Sequence, residues 1–221
     1  MANSLTKIQQ GALASDAIAS DSQNNTVAGA NAGDSFSGTD ATDNTLIGSN
    51  AGTAITTGDR NTAVGKSALA TNTTANYNTA VGYEALELNT TGSENVAVGH
   101  KALEANTTAA NNTALGYYSL GANTTGADNT AIGKSALSAN TTASNNTAVG
   151  ASALLANTTG SSNTAVGEEA LKSMTTTGNA TAIGWWAGRA NTSGERITAV
   201  GRATLHANTT GDNNTGVGAG A

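Results

Sequence analysis

From position 44 onward, short alternations of polar and apolar positions return once in every seventeen residues. Asn61-Thr62-Ala63-Val64-Gly65 comes back as Asn78-Thr79-Ala80-Val81-Gly82, and two units later as Asn112-Thr113-Ala114-Leu115-Gly116. Gly48, Gly65, Gly82, Gly99, Gly116, Gly133, Gly150, Gly167, Gly184, Gly201 and Gly218 mark the units without a slip. Thr-Ala-Val alternates as a strand does, with Thr62 and Val64 on one face and Ala63 on the other. The glycine then turns the chain where a Cβ is unwelcome. Two variable positions follow, and then an Ala-Leu pair such as Ala68-Leu69 or Ala85-Leu86, which predicts a second buried contact. Asn-Thr-Thr and further small or polar residues close the unit as a turn.

Seventeen residues are too few for a strand plus a crossover helix, whose crossover alone takes a dozen or more. They suffice for one coil of an all-β, parallel β-solenoid (a β-roll) carrying two short strands. Ten full units run from 44 to 213, an eleventh begins at Asn214, and ten coils at ~4.8 Å each make a rod of roughly 48 Å. Stacking in register places Asn72, Asn89, Asn106, Asn123, Asn140 and Asn157 in one ladder and Asn61 through Asn163 in another. The ladder glycines Gly65, Gly82, Gly99, Gly116, Gly133 and Gly150 align in the same way. The Ala63 positions are expected to form a flat face of small residues, open to packing against identical chains.

Composition agrees with a thin structure. Charged residues make up 11% of the chain and aromatics 3%, with one Phe, so a wide globular centre has nothing to fill it. A narrow core of Ala, Val and Ile is expected. With no Cys, disulfides and thiolate metal sites are excluded. The net charge of −6 and the lack of a basic patch argue against a nucleic-acid partner. No apolar run is long enough for a membrane-spanning helix, so no membrane insertion is expected. The first residues lack the basic start and apolar run of a secretory signal.

Nothing in the pattern points to an enzyme, a metal site or a cofactor. His100 and His206 lie six coils apart. Glu168 and Glu169 are adjacent and point different ways on a strand or turn. Asn-Thr-Thr recurs seven times and matches a glycosylation sequon, but its periodicity marks a structural ladder. Ice binding by the threonines is disfavoured, since Thr73 and Thr74 are expected on opposite faces.

The two positions after each glycine vary widely, and both tryptophans and three of the four tyrosines fall there: Tyr83, Tyr117, Tyr118, Trp185 and Trp186. With Arg189 and Arg202 nearby, these are the candidate contacts to a receptor or partner. Otherwise Trp185 and Trp186 pack across a subunit interface, or take the space of the leucine missing at Gly188.

The repeated Asn-Thr-Ala-Val-Gly, with Ala-Leu and Asn-Thr-Thr-Gly between, resembles the head repeat of YadA-like trimeric autotransporter adhesins. It is also similar to arrays in phage tail-fibre-like proteins. The resemblance covers residues 44 to 221 and implies a left-handed roll, a homotrimer and a role in surface attachment. The coil here is longer than the adhesin head's, and neither a coiled-coil stalk nor an anchor barrel is present, which favours the phage fibre. The expected protein is therefore a non-enzymatic virion appendage that contacts a host surface glycan or protein. A bacterial surface adhesin head and a self-assembling extracellular filament subunit are the alternatives.

Residues 1–43 lie outside the period. Leu5, Ile8, Ala12 and Leu13 have roughly helical spacing, and the Gly-, Ser- and Asp-rich stretch after them reads as an irregular or degenerate coil. The segment is expected to cap the first coil and, as in tail fibres, to dock on a virion or tail protein. At the other end the array stops within a unit, where another protein or a removed C-terminal segment is expected to cover the edge.

Overall fold

The structure, a computed structural model, describes residues 19–36 and 40–221. The helical spacing at Leu5–Leu13 lies outside those residues. After β1 (Ala19–Ser20) and β2 (Thr26–Ala28), eleven short strands recur once per repeat, from β3 (Thr45–Ile47) and β4 (Thr62–Val64) to β13 (Thr215–Val217). All thirteen form one sheet in sequence order. β2 to β13 are parallel, and β1 lies antiparallel along the edge of β2. Like residues meet in the ladder, Thr62 on Thr79, Ala63 on Ala80 and Val64 on Val81. The chain is a parallel β-solenoid. Its first coil is longer than the rest, since Thr26 pairs with Thr45, two positions beyond the usual interval.

The inside and outside of the strand are the reverse of the expected packing. Ala63, Ala80 and Ala97 have no exposed surface, and they pack with Ala68, Leu69, Leu86 and Leu103 in one continuous core. Thr62 and Val64 are the half-exposed pair. Alternation tells which residues share a face. Volume decides which face is inward: leucine and two alanines per coil nearly fill the lumen, leaving no room for Val64. The core is thus Ala and Leu rather than Ala, Val and Ile, and the outward face is Thr and Val rather than Ala.

Coils with glycine at the leucine position show how tight this is. A Cβ added to Gly52 would stand 2.7 Å from Leu46 Cδ2 and 2.8 Å from Ile55 Cδ1. Leu46 occupies an alanine position and Ile55 an asparagine position, so the missing volume is supplied from neighbouring inward sites. At Gly188 the same service comes from Leu171 and Ile197, 2.9 and 3.3 Å from the added Cβ. Volume is conserved coil by coil, as close-packed interiors require.

The Ala-Leu stretch is not a second strand. Gly65, Ser67 and Leu69 have φ of 137°, 56° and 53°. Across this stretch the direction of the backbone amides reverses between Ser67 and Leu69. Ser67 N–H donates back to Ser49 of the preceding coil, and Leu69 N–H donates forward to Ala85 of the next, both at 2.9 Å. A left-handed leucine is unfavourable by roughly 1–2 kcal/mol, and here burial of its side chain and this inter-coil bond offset it. Gly116 is under stricter control: a Cβ there would lie 2.7 Å from the Gly133 carbonyl group at a φ of 135°.

Both asparagine ladders form, buried in the wall. In the first, each Nδ2 reaches the Oδ1 one coil below, as from Asn106 to Asn89 at 2.8 Å and Asn140 to Asn123 at 2.8 Å. The same Nδ2 also bonds a carbonyl three positions on, from Asn123 to Gly126 at 2.9 Å. In the second, an Oδ1 accepts the backbone N–H of the asparagine above, as Asn44 does from Asn61 at 2.9 Å, while Asn61 Nδ2 donates along its own coil to the Ala75 carbonyl. The amides of Asn72, Asn89, Asn106, Asn123, Asn140 and Asn157 are buried and consumed by the fold, so those six Asn-Thr-Thr sequons present no accessible nitrogen; Asn208 is half-buried. Two further ladders were not legible in the repeat. Thr73 Oγ1 donates to the Thr90 carbonyl, a bond repeated in coil after coil to Thr192 and Thr209. At the Asp59 position, side-chain oxygens accept the preceding coil's amide, as Asn76 does from Asp59 at 2.7 Å.

Candidate functional surface

The first residue after each glycine projects from the coil corner, and in-register stacking turns these residues into a ridge: Lys66, Tyr83, His100, Tyr117 and Lys134 in five successive coils. His100 is stacked between Tyr83 and Tyr117 at centroid distances of 5.1 and 5.2 Å. The Lys66 ammonium lies 5.8 Å from the Tyr83 ring. Tyr118 tilts against Tyr117 at 6.4 Å. His100 was not among the expected contacts, yet its spacing of one repeat from both tyrosines was the available signal.

Further along, Trp185 and Trp186 stack on each other at 3.8 Å. Arg189 covers Trp186 at 4.5 Å and Arg202 covers Trp185 at 5.0 Å, a four-layer stack of cation, two indoles and cation. The Arg189 Nε also donates to Glu169 Oε2 at 2.6 Å, and Lys172 to the other oxygen of that carboxylate at 2.6 Å. Glu169 is held below the ordinary carboxylate range, first by Lys172 and then by Arg189. Tyr83, Tyr117 and Tyr118 are thus brought together with His100, and Trp185, Trp186, Arg189 and Arg202 form a second cluster. The space at Gly188 is taken by aliphatic side chains, not by the indoles.

A charged network flanks the tyrosine stack. Lys101 Nζ sits between Glu84 and Glu104, 2.9 and 2.7 Å away, and its pKa is raised by these bonds. The Tyr83 hydroxyl and Lys101 both lower the Glu84 pKa. Burial raises that of Glu87, helped by Glu84 and Glu104. The three carboxylates approach within 4.8 Å of one another, and the Lys101 ammonium already supplies positive charge among them.

A second outward feature runs the length of the rod. The third strand position is Ile47, Val64, Val81, Val98, Leu115, Ile132, Val149, Val166, Ile183, Val200 and Val217. All are half-buried or exposed, Leu115 at 45% and Ile183 at 42%. One aliphatic side chain per coil therefore faces outward, beside a row of threonines.

These features define a β-solenoid repeat protein with an aliphatic stripe and an aromatic–cationic ridge. No family model, curated protein or solved structure matches the chain.

Proposed function

We propose that the chain is the shaft of a non-enzymatic, homotrimeric fibre, a phage tail fibre or similar virion appendage that attaches to a host surface. The aliphatic stripe carries this reading. The neighbouring ridge position holds basic, acidic, aromatic and small side chains, whereas the stripe is Val, Ile or Leu in all eleven units. A solvated row gains nothing from such uniformity, and a continuous exposed apolar strip of this length is a mark of association. Its spacing of one side chain per coil fits a partner with the same repeat, and a second copy of this chain has it. Three copies around one axis, with left-handed coils, follow the resemblance to adhesin heads and tail fibres. The stripe then lies towards the axis and the variable ridge towards the host glycan or protein, while the N-terminal segment docks on the virion.

Val149→Lys/Val166→Lys places two charges in the stripe without touching the core. Sedimentation velocity is expected to show the variant as single folded chains where the parent is assembled. A variant with the parent's sedimentation coefficient and circular dichroism would remove the stripe from the interface.

A further inference from the structure

The ridge also sorts the chain's basic groups. Lys7 lies outside the described residues. Arg60, Lys101, Lys172, Arg189 and Arg196 each have a carboxylate within salt-bridge distance, from 2.6 to 3.7 Å. Among the described residues, Lys66, Lys134 and Arg202 have none, and all three stand on the ridge. They recur at every fourth coil, which is roughly 19 Å along the axis. Lys66 lies over Tyr83 and Arg202 over Trp185, while Lys134 follows Tyr117 in the row. Glu168 is the one acidic residue among Lys66, Tyr83, His100, Tyr117, Lys134, Ala151, Glu168, Trp185 and Arg202. In a chain of net charge −6, the described cations that lack a carboxylate partner thus share one edge, flanked beside Tyr83 by the Glu84, Glu87 and Glu104 carboxylates with Lys101 among them.

From this we infer that the ridge binds an extended polyanionic glycan, laid along the rod with acidic groups near Lys66, Lys134 and Arg202. The inference rests on the reading of the chain as an attachment fibre and names the chemistry of what it attaches to. Widely spaced cations suit a polymer whose charges are separated by neutral hydroxyl groups. Between the cations, His100 has both faces covered, by Tyr83 and Tyr117, so its ring nitrogens are left at the edge, where with the Tyr117 hydroxyl they suit sugar hydroxyls; the Tyr83 hydroxyl is engaged by Glu84. Single-stranded nucleic acid fits poorly, because bases need open ring faces. Here each face of Trp185 is taken, by Trp186 and Arg202. A nucleic acid also carries a charge about every 3.4 Å along each strand, far denser than the ridge offers.

The test uses alginate, a polyuronate, with dextran and single-stranded DNA as comparison polymers, each titrated against the whole chain by calorimetry at low salt. Lys66→Gln/Lys134→Gln/Arg202→Gln is set beside Arg60→Gln/Lys172→Gln/Arg196→Gln, which removes the same charge from paired sites. Alginate is expected to bind and dextran not, with affinity falling about tenfold or more on raising salt from about 50 to about 200 mM. The ridge variant loses about tenfold or more, and the control variant retains alginate binding within roughly threefold, as expected when unpaired ridge cations make the contacts. No alginate binding, equal losses in both variants, or tighter binding of DNA would overturn the inference. Light scattering on the same samples separates the two proposals: an assembled chain that ignores alginate refutes the glycan alone, and a single-chain mass refutes the fibre.

Discussion

The coils between Asn61 and Asn163 and those from Met174 onward hold together by different means. In the first region both asparagine ladders run without interruption. In the second, Met174 stands where the Asn72 ladder would continue, and Asn157 Oδ1 is left buried without a partner. Ala180 and Ile197 replace the other ladder's asparagines, so the amides of Ile197 and Asn214 find no side-chain oxygen on the coil below. Thr177 Oγ1 is also buried and unpartnered. The surface clamp sits across this same break. Glu169, Arg189, Trp186, Trp185 and Arg202 tie three successive coils from outside. An array of nearest-neighbour contacts is only as continuous as its weakest interface, and the clamp strengthens the interface whose interior bonds are missing.

The comparison can be broken most severely at the glycines. Gly116→Ala drives a Cβ into the backbone of Gly133, whereas at Gly218 an added Cβ meets nothing within 4 Å. The first change is expected to lower stability by about 3 kcal/mol or more and the second by about 1 kcal/mol of backbone strain. Urea midpoints measure both, and equal losses would discard the close-approach explanation. Next in size is Asn140→Ala, which strips Asn123 Oδ1 and the Ala143 carbonyl of a buried donor. A loss of roughly 1–3 kcal/mol is expected.

Trp186→Ala removes the centre of the clamp and is expected to cost about 1–2 kcal/mol. Hydrogen exchange should quicken between residues 169 and 205 and stay unchanged between 62 and 149. Uniform quickening along the whole rod would mean that the clamp is not local. The smallest effect has the opposite sign. Ala180→Asn restores an acceptor for the Ile197 amide and is expected to stabilise the C-terminal coils by about 1 kcal/mol, visible as slower exchange at that amide. Faster exchange there would show that the ladder positions are not interchangeable between regions.

Period, coil stacking and the asparagine ladders were legible because like residues at a fixed interval can satisfy one another only by stacking. The facing of Ala63 and Val64 was not, since a period of two carries no inside or outside. It took the volume of Leu69 and the exchange of Leu46 and Ile55 for Gly52 to show that only alanine fits inward. The second strand failed for a related reason: left-handed Ser67 and Leu69 are rare conformations, imposed by stacking rather than by their own preferences. Of the candidate contacts, the clustering of Tyr83 and Tyr117 followed directly from the period. The closure of the indole faces by Arg189 and Arg202 depended on side-chain conformations that no spacing encodes.

The outward stripe from Ile47 to Val217 decides whether this rod is a fibre shaft or a solitary coil. Static light scattering on the purified chain tests it in one measurement. Three times the chain mass of 21.5 kDa is expected, independent of dilution through the micromolar range, and a stable mass of 21.5 kDa would contradict the fibre.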